Sequence, residues 1–61
     1  MKIEKGKEYT FHSKYGDLER YNGTMVRIIS SFAEIPNEPN LYRAVFVDGR
    51  YYDVFEYELS N

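Results

Sequence analysis

The 61-residue chain contains no cysteine and no tryptophan, and it has a single histidine, His12. Without cysteine it can form neither a disulfide nor a thiolate metal site, so a fold of this size must draw its stability from side-chain packing. The lack of cysteine also fits a reducing compartment. A lone histidine, with no cysteine or second histidine, lacks the usual companions of a metal site or a nucleophilic triad. These absences predict a non-enzyme with no catalytic residue, no metal and no cofactor.

Long apolar segments are missing as well. Runs such as Val45-Phe46-Val47 fall far short of the about 20 consecutive apolar residues that a transmembrane helix needs. The N-terminal Met1-Lys2-Ile3-Glu4 lacks the apolar region of a signal peptide. Eight lysines and arginines against ten aspartates and glutamates give a net charge of -2, which supplies no general attraction to nucleic acid or to an anionic membrane. We therefore expect a cytoplasmic protein that does not bind membranes.

The residues that are present predict one all-β domain spanning 1–61. Tyr9 and Phe11 alternate with polar residues, as in a half-buried strand. A run rich in β-branched residues follows Asn22-Gly23, and apolar segments flank the turn residues Asp48-Gly49. The stretch 34–40 carries both prolines, which forbid a ladder position and indicate a loop. The further predicted strands are 25–29, 41–47, 50–54 and 58–59, with a single tight turn at 55–57.

The register of the hairpin around Gly49 depends on the length of its loop. Opposite residues share a face of the sheet, so a slip of one residue exchanges the two faces. A two-residue loop would place Asp53 opposite Ala44, which puts a carboxylate on the apolar side. A three-residue loop, 47–49 with Gly49 in the left-handed conformation, sets Tyr52 opposite Ala44 instead. Because this leaves the even-numbered face apolar, we predict the three-residue loop.

The predicted core takes its side chains from the apolar face of each strand. Its aromatic members are well suited to a small chain, because each ring buries a large area. The predicted core residues are Tyr9, Phe11, Val26, Ile28, Tyr42, Ala44, Phe46, Tyr52, Val54 and Leu59.

The segment order resembles that of Src-homology-3-like (SH3-like) small barrels. The segment 21–23 ahead of 25–28 resembles the glycine-led strand of KOW-type and Tudor-type barrels, and 42–49 resembles their central hairpin. The segments 53–55 and 58–59 resemble the closing turn and strand of small bacterial and phage barrels. The resemblance covers about 7–59 and implies a five-stranded SH3-like barrel with one short 3-10 turn before the last strand. The chain carries no tryptophan for a proline-binding groove, so the resemblance implies architecture rather than activity.

The tyrosines are the first candidate site. Seven of them in 61 residues are more than one small core hides, and tyrosine suits interfaces because it combines a flat apolar ring with a polar tip. We predict a module that binds an as yet unknown protein partner, with a homodimer through an open barrel edge as a special case. The alternative is that these rings plug the ends of the barrel. The tyrosines predicted to form an exposed binding surface are Tyr15, Tyr21, Tyr51 and Tyr57.

Basic residues provide the rival hypothesis, which we consider less favourable because the chain is acidic overall. If several cations share a face with Tyr15 or Tyr21 between them, the surface would suit a single-stranded nucleic acid, through phosphate contacts and base stacking. The simpler alternative is that these residues form a charged, solvated face that binds no ligand. The residues of this nucleic-acid hypothesis are Lys14, Arg20, Arg27 and Arg50.

Overall fold

The computed structural model describes residues 2–14, 16–31 and 40–61. In these residues, five antiparallel strands form one sheet in the order β4-β3-β2-β1-β5, which confirms the all-β prediction and the short turn before the last strand. The elements are β1 (Glu8–Phe11), the 3-10 helix η1 (Gly16–Tyr21), β2 (Met25–Ser31), β3 (Leu41–Val45), β4 (Tyr51–Phe55), the 3-10 helix η2 (Glu56–Glu58) and β5 (Leu59–Ser60).

The hairpin between β3 and β4 has the predicted three-residue loop. Ala44 lies opposite Tyr52, as the apolar even-numbered face predicts. The Phe46 amide donates to the Arg50 carbonyl at 2.8 Å, and the Gly49 amide donates to the Phe46 carbonyl at 2.9 Å. Gly49 has a φ of 84°, the left-handed conformation that glycine adopts without the steric cost of a Cβ. The apolar pattern and the turn residue thus select the same register.

The connection between β1 and β2 contains the two-turn 3-10 helix η1. A 3-10 helix repeats every three residues, so Leu18 and Tyr21 lie on one side of η1 and both pack against the core. Asp17 stands in its first turn and Arg20 in its last, which complements the helix dipole. The segment is too short and too polar for its three-residue period to stand out in the sequence.

Strand β2 contains a β-bulge that the sequence pattern does not show. Ile28 pairs with Ala44, but Ser30 pairs with Arg43, which directly precedes Ala44 in β3, so that Ile29 is the extra residue. A bulge bends its strand and increases the local twist. Because β2 is the central strand of the sheet, this bend lets the sheet curve over the core.

All predicted core residues except Tyr52 are buried. Tyr52 is only half-buried, because its hydroxyl lies near the exposed guanidinium of Arg20. Two further residues join the core, Ile3 and Tyr21. Ile3 is held by the N-terminal segment, where the Glu4 amide donates to the Tyr9 hydroxyl at 2.9 Å. The core therefore begins before the first strand.

Aromatic rings form the centre of this core. The Phe46 ring contacts Phe11 with centroids 5.0 Å apart, Tyr21 at 4.7 Å and Tyr52 at 5.2 Å. The contacts with Phe11 and Tyr52 are edge-to-face, a favoured geometry for aromatic pairs. Phe46 therefore joins β1, η1 and β4 through a single side chain.

Replacing Phe46 by Ala should remove most of the stability of the domain. Truncation of a buried phenylalanine costs about 3–5 kcal/mol, and small domains have about 5 kcal/mol or little more to lose. Urea unfolding followed by far-UV circular dichroism measures the loss. Phe46→Leu, which retains an apolar group, should lose less, about 1–2 kcal/mol. Val47→Ala is the control, since its exposed side chain should matter by less than about 0.5 kcal/mol. Equal unfolding midpoints for Phe46→Ala and Val47→Ala would contradict the central role of Phe46.

Candidate functional site

The structure places the four predicted tyrosines in different surroundings. Tyr51 and Tyr57 are exposed, at 63% and 74% of their full accessible surface. Tyr21 is only 5% exposed, so its expected place on an exposed aromatic surface is wrong. Helix η1 turns the ring of Tyr21 inward onto Phe46. Tyr15 lies outside the described residues.

Two exposed tyrosines and a phenylalanine lie together along β4 and η2. Tyr51 and Phe55 occupy odd positions of β4, on the sheet face opposite the core. The Phe55 ring stacks on Tyr57 with centroids 5.3 Å apart and planes 8° from parallel. Between the two ends of this group, Asp53 accepts a hydrogen bond from Arg43 Nε at 3.0 Å. We name Tyr51, Phe55 and Tyr57 the β4 aromatic surface.

Strand β4 is at one end of the sheet order, so one of its edges has no neighbouring strand among the described residues. Phe46 and Arg50 form a hydrogen-bonded pair. Hydrogen-bonded and non-hydrogen-bonded pairs alternate along an antiparallel ladder, so the backbone groups of Tyr51, Asp53 and Phe55 point away from β3. The Phe55 amide donates to Glu58 Oε1 at 2.9 Å, which closes one end of the edge. The outward amides and carbonyls of Tyr51 and Asp53 form the open part.

A polar cluster stands on the other side of the sheet, where η1 meets the hairpin. The Tyr21 hydroxyl donates to Asp48 Oδ2 at 2.5 Å. Arg20 Nη2 donates to the Tyr21 hydroxyl at 2.9 Å and lies 3.5 Å from the Tyr52 hydroxyl. Arg50 Nε lies 3.8 Å from Asp48 Oδ2. These five residues are named the Arg20–Arg50 cluster.

The electrostatics of this cluster follow from its hydrogen bonds. The bond from Tyr21 holds the pKa of the Asp48 carboxyl below its usual value, because it stabilises the ionised form. Conversely, the carboxylate raises the pKa of Tyr21. The neighbouring Tyr21 hydroxyl and the Arg50 guanidinium lower the pKa of Tyr52. The carboxylate is thus ionised and the Tyr21 hydroxyl is protonated near neutral pH.

The structure brings together two of the four basic residues of the nucleic-acid hypothesis, Arg20 and Arg50. Arg27 lies on the opposite face of the sheet, where its guanidinium is 3.9 Å from Glu8. Lys14 is exposed in the loop before η1. The shared face that this hypothesis requires therefore does not include Arg27, whereas Arg20 and Arg50 have Tyr52 as a common neighbour. Neighbouring strand positions alternate in direction, which separates Arg27 from that pair.

Within 2–14, 16–31 and 40–61, no group of three His, Cys, Asp or Glu side chains is arranged to hold a metal ion. The same part of the chain contains no helix long and apolar enough to cross a bilayer. Ser13, which is buried, has a local role instead: its amide donates to Asn22 Oδ1 at 2.7 Å, and Asn22 Nδ2 donates back to its carbonyl at 2.9 Å. This exchange holds the two ends of the β1–β2 connection together.

The Tyr21–Asp48 bond should make stability depend on pH at the acid end. Since the folded-state pKa of Asp48 is lowered, the bond stabilises the fold fully above the unfolded-state value of about 4, and this stabilisation is lost as the pH falls through the folded-state pKa. Urea unfolding between about pH 7 and about pH 2 should show a larger acid loss for the wild type than for Tyr21→Phe.

An Asp48→Asn background provides the control for this pH experiment. Without the titrating carboxyl, Tyr21→Phe should cost the same free energy of unfolding at both ends of the range. If Tyr21→Phe and the wild type lose stability in parallel on acidification, the bond does not couple Asp48 to folding.

Comparison of the chain with protein-family models, with curated proteins and with solved structures finds no match. The fold builds two surfaces that bear on function, the β4 aromatic surface and the Arg20–Arg50 cluster.

Proposed function

We propose that the chain is a non-catalytic interaction module that binds a protein partner along β4. The observation that carries the proposal is the position of the β4 aromatic surface beside the open edge of an end strand. Tyr51 and Tyr57 present large apolar rings with polar tips, the composition that protein interfaces favour. An exposed strand edge offers main-chain donors and acceptors to an extended segment. Rings and edge together can supply affinity and register.

The occupant best suited to this place is an extended segment that adds to the sheet as a further strand. Its backbone would pair with Tyr51 and Asp53, whose outward groups are spaced by two residues, as an antiparallel neighbour requires. Its alternate side chains would then lie over the ring of Tyr51 at one end and over the Phe55–Tyr57 stack at the other. The Arg43–Asp53 pair between them favours a polar residue in the middle. A second copy of the chain is the special case in which the added strand is β4 itself.

We propose an SH3-like small barrel as the architecture of the module. The order of strands, the hairpin and the 3-10 turn before β5 support this resemblance. The bulge in β2 supports it as well, because bending a central strand helps a sheet to curl towards closure. In such a module, binding along β4 leaves the core and the β1–β2 connection unchanged.

Replacing both exposed tyrosines should abolish partner binding while leaving the fold intact. We expect affinity capture from an extract of the source cells to recover a protein with the wild type and to lose it with Tyr51→Ser/Tyr57→Ser. Val47→Ser is the matched control, because Val47 is equally exposed (66%) but lies at the hairpin tip, and it should retain the partner. Aromatic contacts are only mildly weakened by salt, so capture should persist at high ionic strength. Recovery of the same proteins by the wild type and the folded double variant would refute the tyrosine surface.

A proline at position 53 tests the strand edge separately. The Asp53 amide faces away from β3, so Asp53→Pro removes a donor from the open edge without breaking the hairpin ladder. Asp53→Ala removes the same carboxylate but retains the amide. With the captured partner, binding should weaken about tenfold or more for Asp53→Pro relative to Asp53→Ala, as isothermal titration calorimetry measures. Equal affinities would mean that the partner does not add a strand to β4.

A further inference from the structure

We propose that the Arg20–Arg50 cluster is a binding site for a phosphate group. Its guanidinium groups come from two different elements, η1 and the β3–β4 hairpin, and both lie near the Tyr52 hydroxyl. Arginine is the side chain best matched to phosphate, because its planar fork of donors forms paired charge-assisted bonds. This inference is independent of the proposed function, which uses the opposite face of the sheet.

Arg20 has unused capacity to bind an anion. Its guanidinium donates to the Tyr21 hydroxyl, and its central carbon lies over that ring, 4.8 Å from the centroid. Among the described residues, no carboxylate lies within 4.0 Å of it, although the chain carries ten acidic residues. Arg27 and Arg43, by contrast, each pair with a carboxylate on the outer face. The cation-π contact and the hydrogen bond with Tyr21 therefore orient Arg20 without neutralising it.

Arg50 is only partly neutralised. Its nearest acid is Asp48, whose Oδ2 already accepts the bond from Tyr21 and whose Oδ1 accepts the Arg50 amide at 3.1 Å. The guanidinium stays 3.8 Å from that carboxylate, at the limit of an ion pair. Two arginines and one carboxylate leave the cluster with a local excess of one positive charge, in a chain whose net charge is -2. That excess is the electrostatic basis for binding an anion here.

The cluster is also held in place before a ligand arrives. The ring of Tyr21 is buried against Phe46, and its hydroxyl is bonded to Asp48, so η1 and the hairpin are fixed relative to each other. Tyr52 stands between the two arginines and can donate its hydroxyl proton to an incoming oxygen. A phosphate offers several acceptor oxygens for these converging donors, whereas a carboxylate offers only two. The arrangement therefore favours a phosphate, either free or as part of a nucleic-acid backbone.

Two titrations test the site and identify the source of the phosphate. In the first, inorganic phosphate is added to the folded protein at low ionic strength, and the side-chain Nε–H signals of Arg20 and Arg50 are followed by NMR. In the second, a labelled single-stranded oligonucleotide of about 10 nucleotides is titrated by fluorescence anisotropy at protein concentrations up to about 100 µM. Both are repeated with Arg20→Gln, Arg50→Gln and the control Arg27→Gln, which removes the same charge from the opposite face.

We expect phosphate to shift both arginine signals and each cluster variant to weaken binding about tenfold, with little change for Arg27→Gln. Phosphate binding without oligonucleotide binding would support a free phosphate ligand. Tighter oligonucleotide binding that weakens steeply with salt would support a nucleic-acid backbone. An absence of saturable shifts with phosphate, or an equal loss in Arg27→Gln, would overturn the site. Tyr51→Ser/Tyr57→Ser should leave phosphate binding unchanged, so this proposal and partner binding on β4 can fail separately.

Discussion

The contact between Tyr21 and Phe46 is the interaction on which the rest of the structure depends. The centroids of the two rings lie 4.7 Å apart. The Tyr21 hydroxyl donates a hydrogen bond to Asp48, which belongs to the same hairpin as Phe46. One side chain therefore anchors η1 to the hairpin twice, through apolar packing and through a hydrogen bond. A chain of 61 residues without disulfides has few other ways to order a long connection between strands. The aromatic centre replaces such covalent constraints.

The two candidate binding surfaces lie on opposite sides of the sheet. Alternation along β4 directs Tyr52 towards Tyr21 and the arginine pair, while Tyr51 and Phe55 face the opposite side. The Arg20–Arg50 cluster thus holds an excess of positive charge on one side, and the outer side holds exposed rings beside the edge of β4. The two sides offer different chemistry to ligands. A protein partner and a phosphate group could therefore be bound without competing for the same side chains.

The sequence predicted the strand pattern better than it predicted the site. The alternation of apolar and polar residues on the two sides of Gly49 was sufficient to predict the hairpin register, because only one register keeps a carboxylate off the apolar face. Tyr51 and Tyr57 were also expected at the surface, and both are exposed. Tyr21 was assigned to the wrong environment, since its burial depends on η1, whose three-residue period spans only two turns. The bulge in β2 was missed because no glycine or proline marks it.

The sequence by itself determined the features that depend only on residues close together along the chain, namely the apolar face of each strand and the position of the turn. Alternation selects the apolar face of each strand, and Asp48-Gly49 fixes the position of the turn, because backbone geometry at these positions is a local property. The meeting of Arg20, Tyr52 and Asp48 was decided only by the tertiary structure. These residues come from segments about 30 positions apart, and their distances depend on how Tyr21 packs on Phe46. Charges and rings can be counted in a sequence, but whether they converge depends on packing between elements that are distant along the chain.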